Sequence, residues 1–444
     1  AVTAVNAEEN DHRPPHARWN FRMLVGDVSF FFIGISFLDT STALPAAVSD
    51  LGGSATYLGI LLAVRQAGYF LPQLFVGHYL RGAKRLLPFL VQVAFWGRIG
   101  YFPAAAAFYF YGKTNPALAL AVLMIVYAIS WIGDGMGGVP WMTIVGRAIP
   151  ARERGKMFAW TQVISALSRF GVAAVVGTLL AQKWVAFPGN IALLTLLCAI
   201  GLMISWGFLA SIREPPAPTS EDGEEITHED DSISIGEYMR RLPLKFRERP
   251  DFALLAATQV LATASGACMP FLVTYASNAR LPDNLPATLN FLRDGGLPGI
   301  FLATQTLGLL LFAAVWGNIS DRLGPRTALR GVMCLGLMCP LLALAGGLTG
   351  VGLPLFLLAY FCYGAAQDGW IMVTNYLLEA VPKREQSVYI GLMNAASAPS
   401  LLFPFAAGLI VRWVNAEMMF ISAAVLLAAG FIAASRLPET RRKS

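Results

Sequence analysis

Asp39, Arg65, Arg98, Asp134, Arg169 and Asp368 each stand inside an apolar run long enough to cross a bilayer. A charge near mid-membrane costs roughly 2.5–3.5 kcal/mol on insertion scales, so each needs a partner or a wet cavity. The chemistry open to them is ion pairing, carriage of a proton on a carboxylate, or recognition of an anionic group by an arginine. Depth along the runs suggests that Asp39 faces Arg65, and that Asp134, Arg98 and Arg169 meet near mid-depth. Asp27 lies nearer the inner end of the first run, about 120° around a straight helix from Asp39.

Polar residues recur beside these charges at helical spacing. Gln162, Ser165 and Arg169 follow i, i+3, i+7, and so do Tyr360, Tyr363 and Gln367, with Asp368 and Trp370 next to them. Tyr127, Trp131 and Asp134 follow i, i+4, i+7. Gln259 with Thr263, and Asn394 with Ser397, add polar positions on two further runs. An aromatic stripe is ordinarily packing. Polar atoms on the same stripe point to a cavity, because lipid would not satisfy them.

The elements that must position these groups are read from composition. The chain has 444 residues, 56% hydrophobic and only 14% charged, against about a quarter charged in soluble domains. Twelve apolar runs qualify as membrane spans: 22–47, 56–80, 87–111, 116–146, 157–182, 189–212, 252–276, 299–320, 327–349, 353–381, 387–412 and 416–436. They are called spans 1 to 12 below. Short alternating strands are missing, which argues against a barrel. With the N-terminus inside, most of the 33 Lys and Arg fall in inner segments. Both termini are therefore expected in the cytoplasm, and the net charge of +6 needs no nucleic acid to explain it. The polar start "AVTAVNAEENDHRPPHARWN" has no apolar core and does not read as a signal peptide.

The five Cys all fall inside spans, and His12, His16, His78 and His228 are scattered, so no disulfide framework, metal site or cofactor is expected. No nucleophile elbow or phosphate-binding loop occurs, which argues against an enzyme. "GDGMGGVPW" at 133–141 lacks the strand context of a dinucleotide fingerprint; its four Gly and one Pro are expected to loosen or bend span 4.

Two halves repeat. "AIPARER" at 148–154 and "AVPKREQ" at 380–386 lie 232 residues apart and match at Ala, Pro, Arg and Glu. "FVGHYLRGAKRLL" at 75–87 occupies the place that "VWGNISDRLGPRT", 315–327, holds in the second half. The domains expected are a tail over 1–20, a six-helix bundle over 21–212, a cytoplasmic linker over 213–250, a second bundle over 251–437 and a tail over 438–444. Within the linker an acidic run precedes a stretch whose Ile235, Tyr238, Met239, Leu242 and Phe246 share one side of a helix. Such a helix could lie on the inner leaflet; a solvated linker is the plainer alternative.

In "GNISDRLGPR" Gly317 would let two helices approach closely, Gly324 would permit the turn, and Asp321 would sit within reach of Arg322 and Arg326. This loop resembles motif A of the major facilitator superfamily, written G-x-L-A-D-R-x-G-R-R. The duplicated six-helix design with both ends inside resembles that superfamily over essentially the whole chain. The resemblance implies an all-helical fold of two pseudo-symmetric bundles and a secondary transporter working by alternating access. It also implies a cytoplasmic latch at Asp321 and Arg322, with Glu153 and Glu385 as candidate partners, and a central cavity lined by spans 1, 4, 7 and 10. Arg98, on span 3, would then be a structural partner. Span 4 resembles a degenerate motif B whose arginine would fall at Trp131, and span 5 lacks the drug/proton antiporter signature.

The leading expectation is a transporter of a small organic or amphipathic solute, with protons as the candidate coupling ion carried on Asp39 or Asp134. Arg65 or Arg169 would recognise an anionic group or neutralise an Asp. Near-zero intramembrane charge in the first half argues weakly against a strongly anionic ligand. Export is favoured because an acid in span 1 resembles multidrug/proton antiporters. The alternatives are a lipid or lysolipid translocator and a non-transporting receptor or assembly factor. The expected partners are the bilayer and the solute, the expected state a monomer, and the expected location a bacterial inner membrane.

Overall fold

The computed structural model describes residues 14–80, 83, 85–182, 185–216, 240, 243–244, 246–278, 294–349, 352–367, 369–382 and 386–440. Asp368, Glu385, the acidic run and most of the amphipathic stretch lie outside the described residues.

The described elements are all helical and follow the twelve expected spans. Among the described residues, eight helical stretches are long and apolar enough to cross a membrane, in spans 4 to 9, 11 and 12. Span 2 is one helix, Ala55–Tyr79. Asn115 and Asn415 start spans 4 and 12 by accepting from Leu118 N at 3.2 Å and Met418 N at 2.8 Å. Each thereby satisfies a donor that the first turn leaves orphaned.

Spans 1, 3, 10 and 11 are interrupted. Span 1 is Ala17–Ser36 followed by Ala43–Asp50, with an irregular stretch between. Span 10 breaks between Gly352–Ala366 and Gly369–Ala380. Span 4, Pro116–Ala148, is continuous through its glycines and Pro140, so the expected loosening does not occur as a break. The glycines act instead as notches. A Cβ at Gly133 would fall 2.9 Å from the Val93 carbonyl oxygen of span 3, and one at Gly135 would meet the Gly68 and Tyr69 carbonyls of span 2. Close backbone approach is how helices gain contact where lipid is as apolar as leucine. Between these notches span 4 exposes Ile125, Ile129 and Ile132, a stripe suited to acyl chains.

Spans 1 to 6 and 7 to 12 form two bundles. Their extensive mutual contacts join span 2 to Phe403–Trp413 of span 11, span 5 to span 8, and Ala43–Asp50 of span 1 to span 7. All lie at the end of the molecule away from the termini. The segments nearer the termini, Gly369–Ala380 and Gln386–Ala396, pack mainly within their own half.

Motif A proves almost wholly helical. Span 8 runs from Leu297 to Leu323, and Gly324 alone makes the turn, at φ 87°, before Pro325 starts span 9. That φ suits glycine. Gly317 is not a close-packing site: a Cβ there would meet nothing within 4 Å. Arg326 has partners of its own. It donates to Ser435 O at 2.8 Å and pairs with Glu439 at 3.8 Å, tying span 9 to the end of span 12 in the same half.

Candidate functional site

The unwound middle of span 1 carries the site. Helical hydrogen bonding lapses after Ser36, and Asp39 sits in the gap. Its Oδ1 accepts from Ser41 N at 2.9 Å, Ser41 Oγ at 2.6 Å and Thr42 Oγ1 at 3.1 Å. The carboxylate thus replaces carbonyl partners that the helix no longer provides. Irregular backbone at membrane depth is tolerated where it lines a cavity. Because span 1 is broken here, the straight-helix angle between Asp27 and Asp39 does not apply.

A cavity of about 370 Å³ lies against this break, between the two halves. It is lined by Asp39, Arg65, Tyr127, Trp131, Gln162, Ser165, Arg169, Tyr363 and Gln367, all expected from the sequence. Ser41, Tyr101, Gln305 and Trp370 also face it. Along span 10 the side chains emerge progressively from a fully buried Tyr360 to Trp370, which is 62% exposed. Gln162, nearer the termini on span 5, is likewise exposed. The cavity therefore opens toward the end that bears the termini.

The opposite end is closed. Ser41 Oγ meets Gln305 Oε1 at 2.8 Å across the two halves, and Tyr360 Oη donates to Ser41 O at 2.7 Å. Tyr360 stacks on Phe301 with ring centroids 4.4 Å apart. It is part of this seal and does not line the cavity, unlike Tyr363 and Gln367 on the same stripe. Gln305 was missed; its signal was the Thr-Gln-Thr triplet in the otherwise apolar "GIFLATQTLGLLL".

The charges pair differently from the depth argument. Asp39 and Arg65 form no ion pair. The Arg65 guanidinium lies over the Trp131 ring, 4.4 Å from its centroid, and Tyr69 and Tyr127 close on that ring edge-on at 6.3 and 6.0 Å. A cation on an indole face is worth about 0.5–2 kcal/mol. Arg169 Nε donates to Ser36 Oγ at 3.0 Å, which anchors it to the last turn before the break and not to Asp134. Arg98 pairs with Asp27 at 3.5 Å, and Asp27 also accepts from Ser205 Oγ at 2.7 Å and Trp141 Nε1 at 3.1 Å. This cluster ties spans 1, 3, 4 and 6 together outside the cavity. Asp134 lies near Arg98 and Asp27 and does not line the cavity. Gln259 and Asn394 do not line it either, and Asn394 is exposed. Equal depth put these residues together on paper, but the rotation of each helix about its axis decides which face meets.

Two buried polar atoms at the cavity have no protein partner, Arg65 Nε and Ser165 Oγ, whereas Tyr127 and Trp131 reach each other. Leaving such an atom unmet costs about 1–3 kcal/mol. No group of His, Cys, Asp and Glu suited to a metal occurs among the described residues.

A family model described as Major Facilitator Superfamily matches residues 28–397 and again 255–444. The chain belongs to the major facilitator superfamily. Solved structures share the fold of this superfamily member at low identity. The nucleoside transporter NupG is 13% identical with a TM-score of 0.66, covering 94% of this chain and 99% of its own. A POT family transporter in complex with 5-aminolevulinic acid is 14% identical with a TM-score of 0.67, covering 98% of each chain. A D-xylose-proton symporter is 17% identical with a TM-score of 0.62, covering 96% of this chain and 97% of its own. Among curated proteins nothing matches. The superfamily fold makes this chain an integral, multi-pass membrane protein of a transporter family.

Proposed function

We propose that the protein is a secondary active transporter that carries a small organic solute through the Asp39–Arg65–Arg169 cavity by alternating access. One observation carries this reading: a polar cavity between two bundles, sealed at one end by contacts between them and open at the other. Rocking the bundles about the bound solute would break the seal and close the open end. Asp39 is the candidate proton carrier, since it is the carboxylate among the described lining residues; Asp134, the other candidate, lies outside. A donor-rich interior suits a polar solute better than lipid tails, and retention of that interior speaks for transport over a receptor role.

The test needs no knowledge of the solute. In a background with Cys198, Cys268, Cys334, Cys339 and Cys362 replaced, Gln162→Cys is placed in vesicles of both orientations with a membrane-impermeant thiol reagent. Labelling from both faces is the expected result. Labelling from one face alone, whatever the pH or added solutes, would overturn the reading.

A further inference from the structure

The structure assigns a chemical class to the solute: an organic anion whose oxyanion is met by Arg65 and the donors beside it. This rests on the transport reading and narrows it.

The first observation is a surplus of donors. Arg65 Nε and Ser165 Oγ are buried at one cavity without a protein partner, and each can donate. Ser165 is 4% exposed. Buried donors without acceptors are the exception in folded proteins, and at a cavity wall an acceptor from water, an ion or a solute can meet them. What they lack is an acceptor, and a carboxylate or phosphonate brings several lone pairs at once.

The second observation is charge. Among the described lining residues, Arg65 and Arg169 carry positive charge and Asp39 alone carries negative charge. Asp39 Oδ1 already accepts from Ser41 and Thr42. Arg98 and Asp27 neutralise each other elsewhere, so the near-zero total of the first half does not describe the cavity. An arginine fork in a low-dielectric site favours an oxyanion over a neutral or cationic group.

The third observation is preorganisation. Arg65 is held on the Trp131 face, and Trp131 is boxed by two tyrosines. The guanidinium therefore has a fixed place before the solute enters, which lowers the ordering cost of binding. The cavity volume of about 370 Å³ suits a single small molecule, near the lower end of ligand pockets at about 300–1,000 Å³. Aromatic walls at Tyr127, Tyr363 and Trp370 fit a flat apolar body behind the oxyanion.

The test compares shape-matched probes on the purified full chain. Benzoate, indole-3-acetate and phenylphosphonate are set against benzyl alcohol and benzylamine, and thermal stabilisation reports binding by mass action. At least one anion is expected to raise the unfolding midpoint in a saturable way, with both non-anions at least tenfold weaker. Arg65→Gln is expected to erase that preference and Arg65→Lys to restore part of it. Arg169→Gln provides a second reading if Arg65→Gln does not fold. Stabilisation by benzylamine or benzyl alcohol equal to the anions, no stabilisation by any anion, or a preference unchanged in both arginine variants would overturn the assignment. Those results leave the thiol-labelling test of transport untouched. One-faced labelling with intact anion binding would instead sink transport and keep the ligand class.

Discussion

One hydroxyl joins the halves: Ser41 Oγ lies 2.6 Å from Asp39 Oδ1 and 2.8 Å from Gln305 Oε1. A hydroxyl has a single hydrogen and cannot donate to both. Amide orientation is an assignment, so turning Gln305 lets its Nε2 donate to Ser41 while Ser41 donates to Asp39. A protonated Asp39 would satisfy the same geometry by donating to Ser41. Either way, the closed end and the cavity carboxylate share one atom.

Removing that atom should loosen the seal. Such a hydrogen bond contributes about 0.5–1.5 kcal/mol, equivalent to roughly a two- to tenfold change in population. Ser41→Ala and Gln305→Ala are each expected to raise labelling of Gln162→Cys from the sealed face by that factor. The double variant should add little, because both remove the same link.

The charge on Asp39 should govern the same balance. Labelling of Gln162→Cys from the two faces is expected to differ between the wild type and Asp39→Asn at one pH. Identical labelling in the two would remove Asp39 as the proton carrier.

The Asp27–Arg98 cluster should act on stability. Deleting one member of a buried pair leaves the other charge unmatched, at about 3–5 kcal/mol. Asp27→Ala should therefore lower the thermal midpoint strongly. Pairing it with Arg98→Met should recover part of the loss, since the double variant buries no orphan charge. Ligand preference should be unchanged in any variant that folds, because neither residue lines the cavity.

Glu214 is a further structural anchor. Its carboxylate accepts from Leu86 N at 2.9 Å and Leu87 N at 2.9 Å and lies 3.7 Å from Arg147. It caps the start of span 3 from the far side of span 6. Glu214→Ala should cost about 0.5–2 kcal/mol, the usual range for a lost helix cap. Thermal unfolding would read this, and Glu214→Gln should fall between the two.

Much of this fold was legible because bilayer crossing demands long apolar runs, and those runs are hard to miss. Cavity residues on spans 4, 5 and 10 were legible for a related reason: polar stripes inside such runs need an aqueous face. What failed was pairing. Arg98 found Asp27 and Arg65 found Trp131, because rotation about the helix axis does not follow from depth. The break in span 1 was not expected, although "SFLDTST" sets five polar residues among seven inside an apolar run. Its cause is local competition, in which the Asp39 carboxylate captures backbone and hydroxyl donors that a helix would have used.

The glycines at the closed end carry one more implication. A Cβ at Gly59 would fall 2.6 Å from Pro404 O, and one at Gly299 would fall 2.5 Å from Gly177 Cα, so backbone rests on backbone where the bundles meet. Among the described residues no ion pair crosses there. Mobile ions screen charge and leave dispersion between uncharged backbones untouched. This joint should hold equally in dilute and concentrated salt. Any dependence of the protein's conformation on ionic strength would then originate away from this joint, at the charged cavity or the opposite end, which makes salt a tool that spares the closed end of the transporter.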